Sequence, residues 1–353
     1  MQIDGRTHMK AVVLTGFGSF DQLEYRVNHP IPSPNDNEVL IKVGACGVNN
    51  TDLWTREGAY GDPFDAQAPS GWQNGDFHFP RVQGADIVGQ IVEVGSSVSR
   101  SRIGERVMVN PTLYNGDGEQ SLPLAEIIGS ERDGGFAEFA AVFAENAIPI
   151  NSDLTDAELA TFMISYLTAE HMLNRGGVTK EAKLLVTGAS GGVGSALIQL
   201  AKRRNAQIIA VISAHKEAQA RAIGADFIIH RGNNIRDALA RIHVHDVDVI
   251  TDIVGGPQMT ELIDVLRPGG TLVTAGAIAG PITQIDWRKI YLKHLDILGA
   301  TMGTMQEAKD IVRYIESREI KPLLYKTYPL IDIVQAQKDF IEKNFFGKLA
   351  IVP

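Results

Sequence analysis

The pattern of apolar and polar positions changes near residue 155 of the chain. Before that point, short runs with many β-branched residues, at 10–14, 38–43 and 87–94, are separated by Gly, Pro and Asn. Such runs are typical of β-strands joined by turns. Two stretches, 60–80 and 110–135, are rich in Gly, Pro and Asp and predict long loops. The first part of the chain is therefore predicted to be β-rich.

After residue 155, strand-like and helix-like segments alternate, which predicts a parallel sheet with helices on both faces. The predicted strands are residues 183–187, 207–212, 226–229, 247–253 and 270–275. The predicted helices are residues 192–204, 216–223, 235–242 and 257–266, followed by 306–315 and 332–343. A closing strand is predicted at 348–352. The fold class is therefore α/β, with a doubly wound parallel sheet after a β-rich domain.

The strongest motif is segment 183–204, in which an apolar strand runs into a glycine-rich loop and a helix. Glycine permits positive φ and a close approach of the backbone to a phosphate, and the helix N-terminus attracts an anion. The spacing is a variant of the G-x-G-x-x-G dinucleotide fingerprint. The candidate pyrophosphate contacts are Gly188, Ala189, Ser190, Gly191, Gly192, Val193 and Gly194. The alternative is a glycine-rich turn that binds no dinucleotide.

The residues after the second strand of this region indicate which dinucleotide is bound. NAD sites place an acid at the tip of this strand, where it binds the ribose 2′-OH. This chain has Ser213 and Lys216 there instead, and Arg231 follows the third strand. Cations form charge-assisted bonds with phosphate, so NADPH is favoured, the alternative being that both cations are solvated surface charges. Further candidate cofactor contacts follow the later strands, at Val254, Gly276 and Ala277.

Composition narrows the possible partners. A chain of 353 residues suits about two domains. Acidic residues outnumber basic ones, 42 against 33, which argues against nucleic acid as the ligand. No apolar stretch reaches the roughly 18 residues of a membrane span, and no secretory signal is visible. Cys46 is the single cysteine, so no intrachain disulfide forms, and we expect a cytoplasmic protein. Residues 1–8 are expected to be a disordered extension.

Several segments together resemble the medium-chain dehydrogenase/reductase superfamily, in particular its zinc-free quinone oxidoreductase-like branch. These segments are VLIKVGACGVNNTDLWTREGAY (39–60), QGADIVGQIVEVG (83–95), GGFAEF (134–139), SYLTAEHML (165–173), VTGASGGVGSALIQLAK (186–202), LRPGGTLVTAGA (266–277) and GKLAIVP (347–353). The resemblance implies a GroES-like β-barrel catalytic domain at 9–155, a Rossmann NADPH-binding domain at 156–300 and a C-terminal return to the catalytic domain at 301–353. It also implies a homodimer or homotetramer.

The same resemblance shows where this chain departs from zinc-dependent relatives. Those relatives carry Cys, His and Glu at the positions that are Asn49, Ala85 and Asp86 here. One carboxylate cannot build a zinc site of three protein ligands and a water. Residues 110–134, where a structural zinc lobe would fall, contain no cysteine. No metal is therefore predicted.

Without a metal, hydrogen-bond donors must polarise the substrate carbonyl. By resemblance, Tyr60 aligns with the proton-donating tyrosine of enoyl-thioester reductases, and Thr51 with the proton-passing hydroxyl of zinc alcohol dehydrogenases. Asn49 and Asp52 match the N-x-x-D pattern of quinone reductases, and Thr168 should contact the nicotinamide. Three structural alternatives stay open, namely a helix cap for Asp52, a turn residue for Thr51 and plain packing for Tyr60.

The leading hypothesis is an NADPH-dependent, zinc-independent reductase of quinones or α,β-unsaturated carbonyl compounds. A zinc-type alcohol dehydrogenase acting on a small alcohol or aldehyde is one alternative. A non-catalytic NADPH-binding or RNA-binding protein is an alternative of another class, although the net charge of −9 disfavours RNA.

Overall fold

A computed structural model describes residues 3–61, 64, 69–72, 77–114, 122–123 and 125–353. The chain divides into two compact units. Unit 1 comprises Met1–Ile164 and Thr304–Pro353, and unit 2 comprises Ser165–Gly303. The predicted loops at 60–80 and 110–135 lie partly outside the described residues.

The strands of the described chain, in order, are β1 (His8–Leu14), β2 (Leu23–Pro30), β3 (Glu38–Gly47), β4 (Arg81–Val82), β5 (Asp86–Val94), β6 (Arg106–Val109), β7 (Thr112–Leu113), β8 (Glu126–Ile127), β9 (Phe139–Phe143), β10 (Ala147–Pro149), β11 (Lys183–Val186), β12 (Gln207–Ile212), β13 (Phe227–His230), β14 (Val247–Asp252), β15 (Leu266–Thr274), β16 (Asp296–Gly299), β17 (Leu324–Pro329) and β18 (Lys348–Val352). The α-helices are α1 (Asn50–Glu57), α2 (Asp156–Leu159), α3 (Met163–Arg175), α4 (Gly192–Arg203), α5 (Glu217–Ala222), α6 (Ile235–Arg241), α7 (Met259–Val265), α8 (Trp287–Lys293), α9 (Met305–Glu316) and α10 (Ile333–Glu342). Among the described residues, no helix combines the length and apolar character needed to cross a membrane.

The main sheet of unit 1 contains β3 and β5 as neighbouring antiparallel strands. That sheet runs β10-β6-β5-β3-β18-β17, and β9 also pairs with β3. Nearly all of β3 is buried, as expected for an apolar strand covered on both sides. The strands predicted at 10–14, 38–43 and 87–94 are confirmed within β1, β3 and β5. The last strand, β18, pairs antiparallel with β3, which brings the end of the chain into this core.

Unit 2, in which every residue is described, contains a parallel sheet in the order β13-β12-β11-β14-β15-β16. The order reverses at β11, and in such sheets ligands bind outside the carboxyl ends of the strands at this switch point. The predicted strands and helices between 183 and 275 are confirmed, with boundaries that shift by a few residues at most. The sequence pattern did not predict α3, α8 or the edge strand β16.

Candidate active site and cofactor site

The glycine loop of unit 2 joins β11 to α4. Gly188 has φ +57°, a conformation that glycine adopts freely, and an added Cβ would lie 2.8 Å from Ile253 Cγ1. A Cβ on Gly194 would lie 2.2 Å from the Gly188 carbonyl oxygen. At Gly191 the nearest atom would be 3.6 Å away. The fold itself therefore requires glycine at 188 and 194, whereas the space over Gly191 is open, as a phosphate lying on the backbone would need.

Helix α4 begins directly at this loop. Gly191 is its N-cap and provides no side-chain hydrogen bond to the first turn. The N–H groups of the first turn of any helix lack partners within that helix, and together with the helix dipole they favour an anion. Ser190, Gly192 and Val193 are half-buried, whereas Ala189 is buried. The loop residues predicted from the sequence thus form a cradle that fits a pyrophosphate.

The residues after β12 bring two cations together. Lys216 is only 6% exposed, and burial, followed by the nearby charge of Arg231, lowers the pKa of its ammonium group. The closest carboxylate in sequence, Glu217, is bound by His230 at 2.7 Å and by Arg221 at 2.8 Å. Ser213 is half-buried at the end of the strand. Two cations therefore lie near each other at this corner of unit 2, and the nearest carboxylate in sequence is occupied by other side chains.

The remaining cofactor candidates lie at the carboxyl ends of the neighbouring strands. Val254 follows β14 and is adjacent to Gly188, since a Cβ on Gly188 would lie 3.3 Å from Val254 Cγ2. Gly276 passes close to β14, because its Cβ would lie 2.8 Å from the Ile253 carbonyl oxygen. Ala277 is half-buried beside it, and Thr168 is buried in α3. The structure thus collects Val254 and Gly276 near the glycine loop.

In unit 1, Asn49, Thr51 and Asp52 lie at the start of α1. The Asp52 carboxylate accepts hydrogen bonds from the backbone N–H of Asn49, at 2.7 Å, and of Gly84. It therefore caps the helix, which is the structural alternative considered for this residue. Gln83 Nε2 donates to the Asp52 carbonyl at 2.8 Å and ties the helix to the segment before β5.

The Asp52 carboxyl is also electrostatically unusual. Burial raises its pKa to about 7, although the Asn49 N–H and the charge of Lys348 oppose this rise. The charge of Asp86 adds to the rise, and only 3% of Asp52 is exposed. Asp52 therefore titrates near neutral pH inside the protein.

Tyr60 and Thr51 are brought together by a side-chain hydrogen bond. Burial raises the pKa of Tyr60 above its usual value, and the bond with Thr51 opposes this only in part. The Tyr60 ring lies 5.5 Å from the Trp54 ring and 5.2 Å from the Trp72 ring, centroid to centroid. Tyr60 thus keeps its proton at ordinary pH, within an aromatic cluster and beside a second hydroxyl.

Lys348 is a site residue that the sequence analysis missed. Its Nζ donates to Asp86 Oδ2 at 2.8 Å and to Asn49 Oδ1. Asn49 Nδ2 also donates to Asp86 Oδ2, at 2.9 Å, and the Ile164 N–H donates to Asp86 Oδ1 at 2.6 Å. All three side chains are buried. The only available signal was a lysine at the start of an apolar strand, which does not reveal its partner.

The side chains at the positions of Asn49, Ala85 and Asp86 do not form a zinc site. Of the three positions occupied by ligands in zinc-dependent relatives, Asn49 and Asp86 are bound to Lys348 and Ala85 has no donor atom. Within the described ranges, no three His, Cys, Asp or Glu side chains are grouped to hold a metal. Cys46 is fully buried, and burial raises its pKa well above the ordinary value, which disfavours the thiolate that metals bind.

Known proteins match this chain in both units. Residues 35–152 match the family model described as alcohol dehydrogenase GroES-like domain, and residues 192–317 match the one described as zinc-binding dehydrogenase. A solved structure from Sinorhizobium meliloti 1021, named as a putative alcohol dehydrogenase, is 48% identical with a TM-score of 0.94. That match covers 99% of this chain and 97% of the other. The predicted GroES-like and Rossmann fold class is thereby confirmed.

Two curated relatives also match along the whole chain. An acryloyl-coenzyme A reductase of Sulfurisphaera tokodaii is 29% identical over 98% of this chain and 100% of the relative. A quinone oxidoreductase of Mus musculus is 28% identical over 96% of this chain and 95% of the relative.

Proposed function

Because the chain belongs to the medium-chain dehydrogenase/reductase superfamily, we propose that it is an NADPH-dependent oxidoreductase that reduces quinones or α,β-unsaturated carbonyl compounds without zinc. The observation that carries the proposal is the Tyr60–Thr51 hydrogen bond, in a unit whose described residues form no zinc site. Relatives named as a quinone oxidoreductase and an acryloyl-coenzyme A reductase support the substrate class.

The cofactor site supports NADPH. The residues that would hold it are the glycine loop for the pyrophosphate and Lys216, Arg231 and Ser213 for the 2′-phosphate. The bound nicotinamide would supply the hydride. All other roles fall to the protein's own residues, because the side chains at the zinc position do not fit a metal that could polarise the substrate carbonyl.

Tyr60 is the proposed proton donor. Its raised pKa keeps the phenol protonated, so that it can bind the substrate carbonyl and give up its proton as negative charge develops there. Thr51 holds the phenol in position through their hydrogen bond and can pass a proton back to it. The rings of Trp54 and Trp72 limit access of water to this hydroxyl and offer flat surfaces to a planar conjugated substrate. Asn49 and Asp52 have partners within the protein and act by positioning α1.

The test is NADPH oxidation with 1,4-naphthoquinone, an alkenal and an enoyl-coenzyme A, before and after dialysis against a chelator. We expect turnover that survives chelation. Tyr60→Phe should lower kcat by roughly 10² to 10⁴, the usual contribution of a general acid. Tyr25→Phe, a half-buried tyrosine of the same unit, is the matched control and should leave kcat unchanged. Zinc-dependent alcohol oxidation, or tight NADPH binding without turnover, would contradict the proposal.

We also propose that two copies of the chain form a homodimer through the edge of unit 2. Strand β16 is the last strand of the sheet, and an edge strand presents unpaired backbone groups. Helix α8 exposes Trp287, Tyr291 and Leu292, each by at least 61%. Leu292→Lys should halve the mass in sedimentation velocity, whereas Val27→Lys, an exposed position of unit 1, should not. A monomeric wild type would refute this interface.

A further inference from the structure

The buried ammonium group of Lys348 lies at the centre of the Asn49–Asp86 cluster in unit 1. Only 3% of Lys348 is exposed, and burying a cation is costly unless it is paired and hydrogen-bonded. Here it is paired, because Nζ lies 2.8 Å from Asp86 Oδ2 and also donates to the Asn49 amide oxygen. These two acceptors stand at positions that carry ligands in zinc-dependent relatives.

The backbone fixes this arrangement. Strand β18 pairs with β3 at Ala350↔Gly47 and Ile351↔Cys46, and the Val48 N–H donates to the Leu349 carbonyl at 2.9 Å. This register places Lys348 next to Asn49, a residue 299 positions earlier in the chain. The contact is therefore set by the sheet rather than by a flexible surface side chain.

The three side chains form a closed set of hydrogen bonds. The Asn49 amide uses its nitrogen on Asp86 and its oxygen on Lys348. Asp86 Oδ2 accepts from both partners, and Asp86 Oδ1 accepts from the Ile164 N–H. A divalent metal bound to either oxygen ligand would have to displace the lysine and overcome its charge.

We propose that Lys348 is a permanent internal cation in the place of the catalytic zinc, which holds Asn49 and Asp86 in position and closes the site to divalent metal. Lys348 does not touch substrate in this role and is a positioning residue. The inference extends the zinc independence of the proposed function. Its tests measure metal binding and folding and need no substrate, so its failure is distinguishable from failure of the proposed reaction.

The first test restores the missing ligands with and without the lysine. Asn49→Cys/Ala85→His and the triple variant that adds Lys348→Met are titrated with Co²⁺ and Zn²⁺, using visible absorption of bound Co²⁺ and competition with a chromophoric chelator. The triple variant should bind metal at least roughly 100-fold more tightly, given the effect of a unit charge a few ångström away. A triple variant with Lys326→Met instead, an exposed lysine of the adjacent strand β17, should show no gain. Equal affinity with and without Lys348 would overturn the proposal.

The second test covers the case in which histidine at the buried position 85 prevents folding. Lys348→Met and Lys348→Met/Asp86→Asn are compared with the wild type by urea unfolding between pH 5 and 8. Among the residues that the structure describes, the ionisable groups that face the lysine are Asp86 of β5, Asp52 of α1 and the Cys46 thiol of β3. Without the ammonium the buried carboxylates lack a counter-charge. The pKa of Asp52, which the charge of Lys348 lowers, then rises further, and the loss of stability grows with pH.

We therefore expect the unfolding midpoint of Lys348→Met to fall most at pH 8 and to approach the wild-type value at pH 5. Asp86→Asn in the same chain should restore much of the midpoint at pH 8, because the uncompensated charge is gone. An unchanged midpoint for Lys348→Met, or a double variant no more stable than the single one, would overturn the proposal.

Discussion

Removing the cation of Lys216, after the end of β12, should weaken the binding of NADPH much more than the binding of NADH. Lys216 is almost fully buried and lies near Arg231, and Glu217 is bound by His230 and Arg221 instead of a ribose. A charge-assisted hydrogen bond contributes about 1.5–3 kcal/mol, which is roughly 10- to 150-fold in affinity. Lys216→Ala should therefore weaken NADPH binding by about one to two orders of magnitude. NADH lacks the 2′-phosphate, so its affinity should change by less than about threefold.

The assay is a titration of both cofactors, followed by the quenching of protein fluorescence, at low and at moderate salt. Arg231→Ala should also weaken NADPH binding more than NADH binding, but by a smaller factor, because Arg231 is exposed and its charge is better screened. Arg241→Ala, another exposed arginine of unit 2, is the control. If Lys216→Ala lost the same affinity for NADH as for NADPH, the reasoning would be refuted, since Lys216 would then contact a part that both cofactors share. Unchanged NADPH binding would refute it as well.

Three further outcomes follow from the same structure. Gly191→Ala should lower the free energy of unfolding by only about 1 kcal/mol but weaken NADPH binding by at least ~10-fold. Gly194→Ala should lower the free energy of unfolding by about 3 kcal/mol in thermal unfolding, because its Cβ would lie 2.2 Å from a backbone oxygen. The folded-state pKa of Asp52, about 7, exceeds its unfolded value, so the contribution of Asp52 to stability should fall by about 3 kcal/mol as pH rises from 4 to 7. Asp52→Asn should remove that contribution in urea unfolding across this range. The buried Cys46 thiol should react with a thiol reagent only after unfolding, and rapid labelling of the native protein would contradict its burial.

The Rossmann unit could be predicted from the sequence because its signals are local. The strand at 207–212 has the predicted bounds, and the predicted helix 192–204 ends one residue later than α4. Strand, glycine loop and helix follow one another within a short stretch, so periodicity and turn residues suffice. The edge strand β16 spans only Asp296–Gly299, with no residue fully buried, and therefore lacks a clear pattern.

The site in unit 1 could be predicted only in part. Tyr60 and Thr51 are named in the sequence analysis separately and only through the family resemblance, and their side-chain hydrogen bond is a finding of the structure. The role of Asp52 stayed open because a helix cap and a catalytic acid use the same residue type at the same spacing. Lys348 could not be found, since its partners come from strands whose pairing depends on the folded sheet.

The two buried lysines show why burial alone does not define a role. Lys348 lies against a carboxylate, so the protein itself supplies its counter-charge and the pair holds the site together. Lys216 lies near a second cation, and burial together with the charge of Arg231 lowers its pKa, so its charged form is disfavoured there. A dianionic phosphate beside the two cations would stabilise both charges. The charged neighbour of each buried lysine therefore supports the two proposals, in which Lys348 holds the site of unit 1 in position and Lys216 binds the 2′-phosphate of the cofactor.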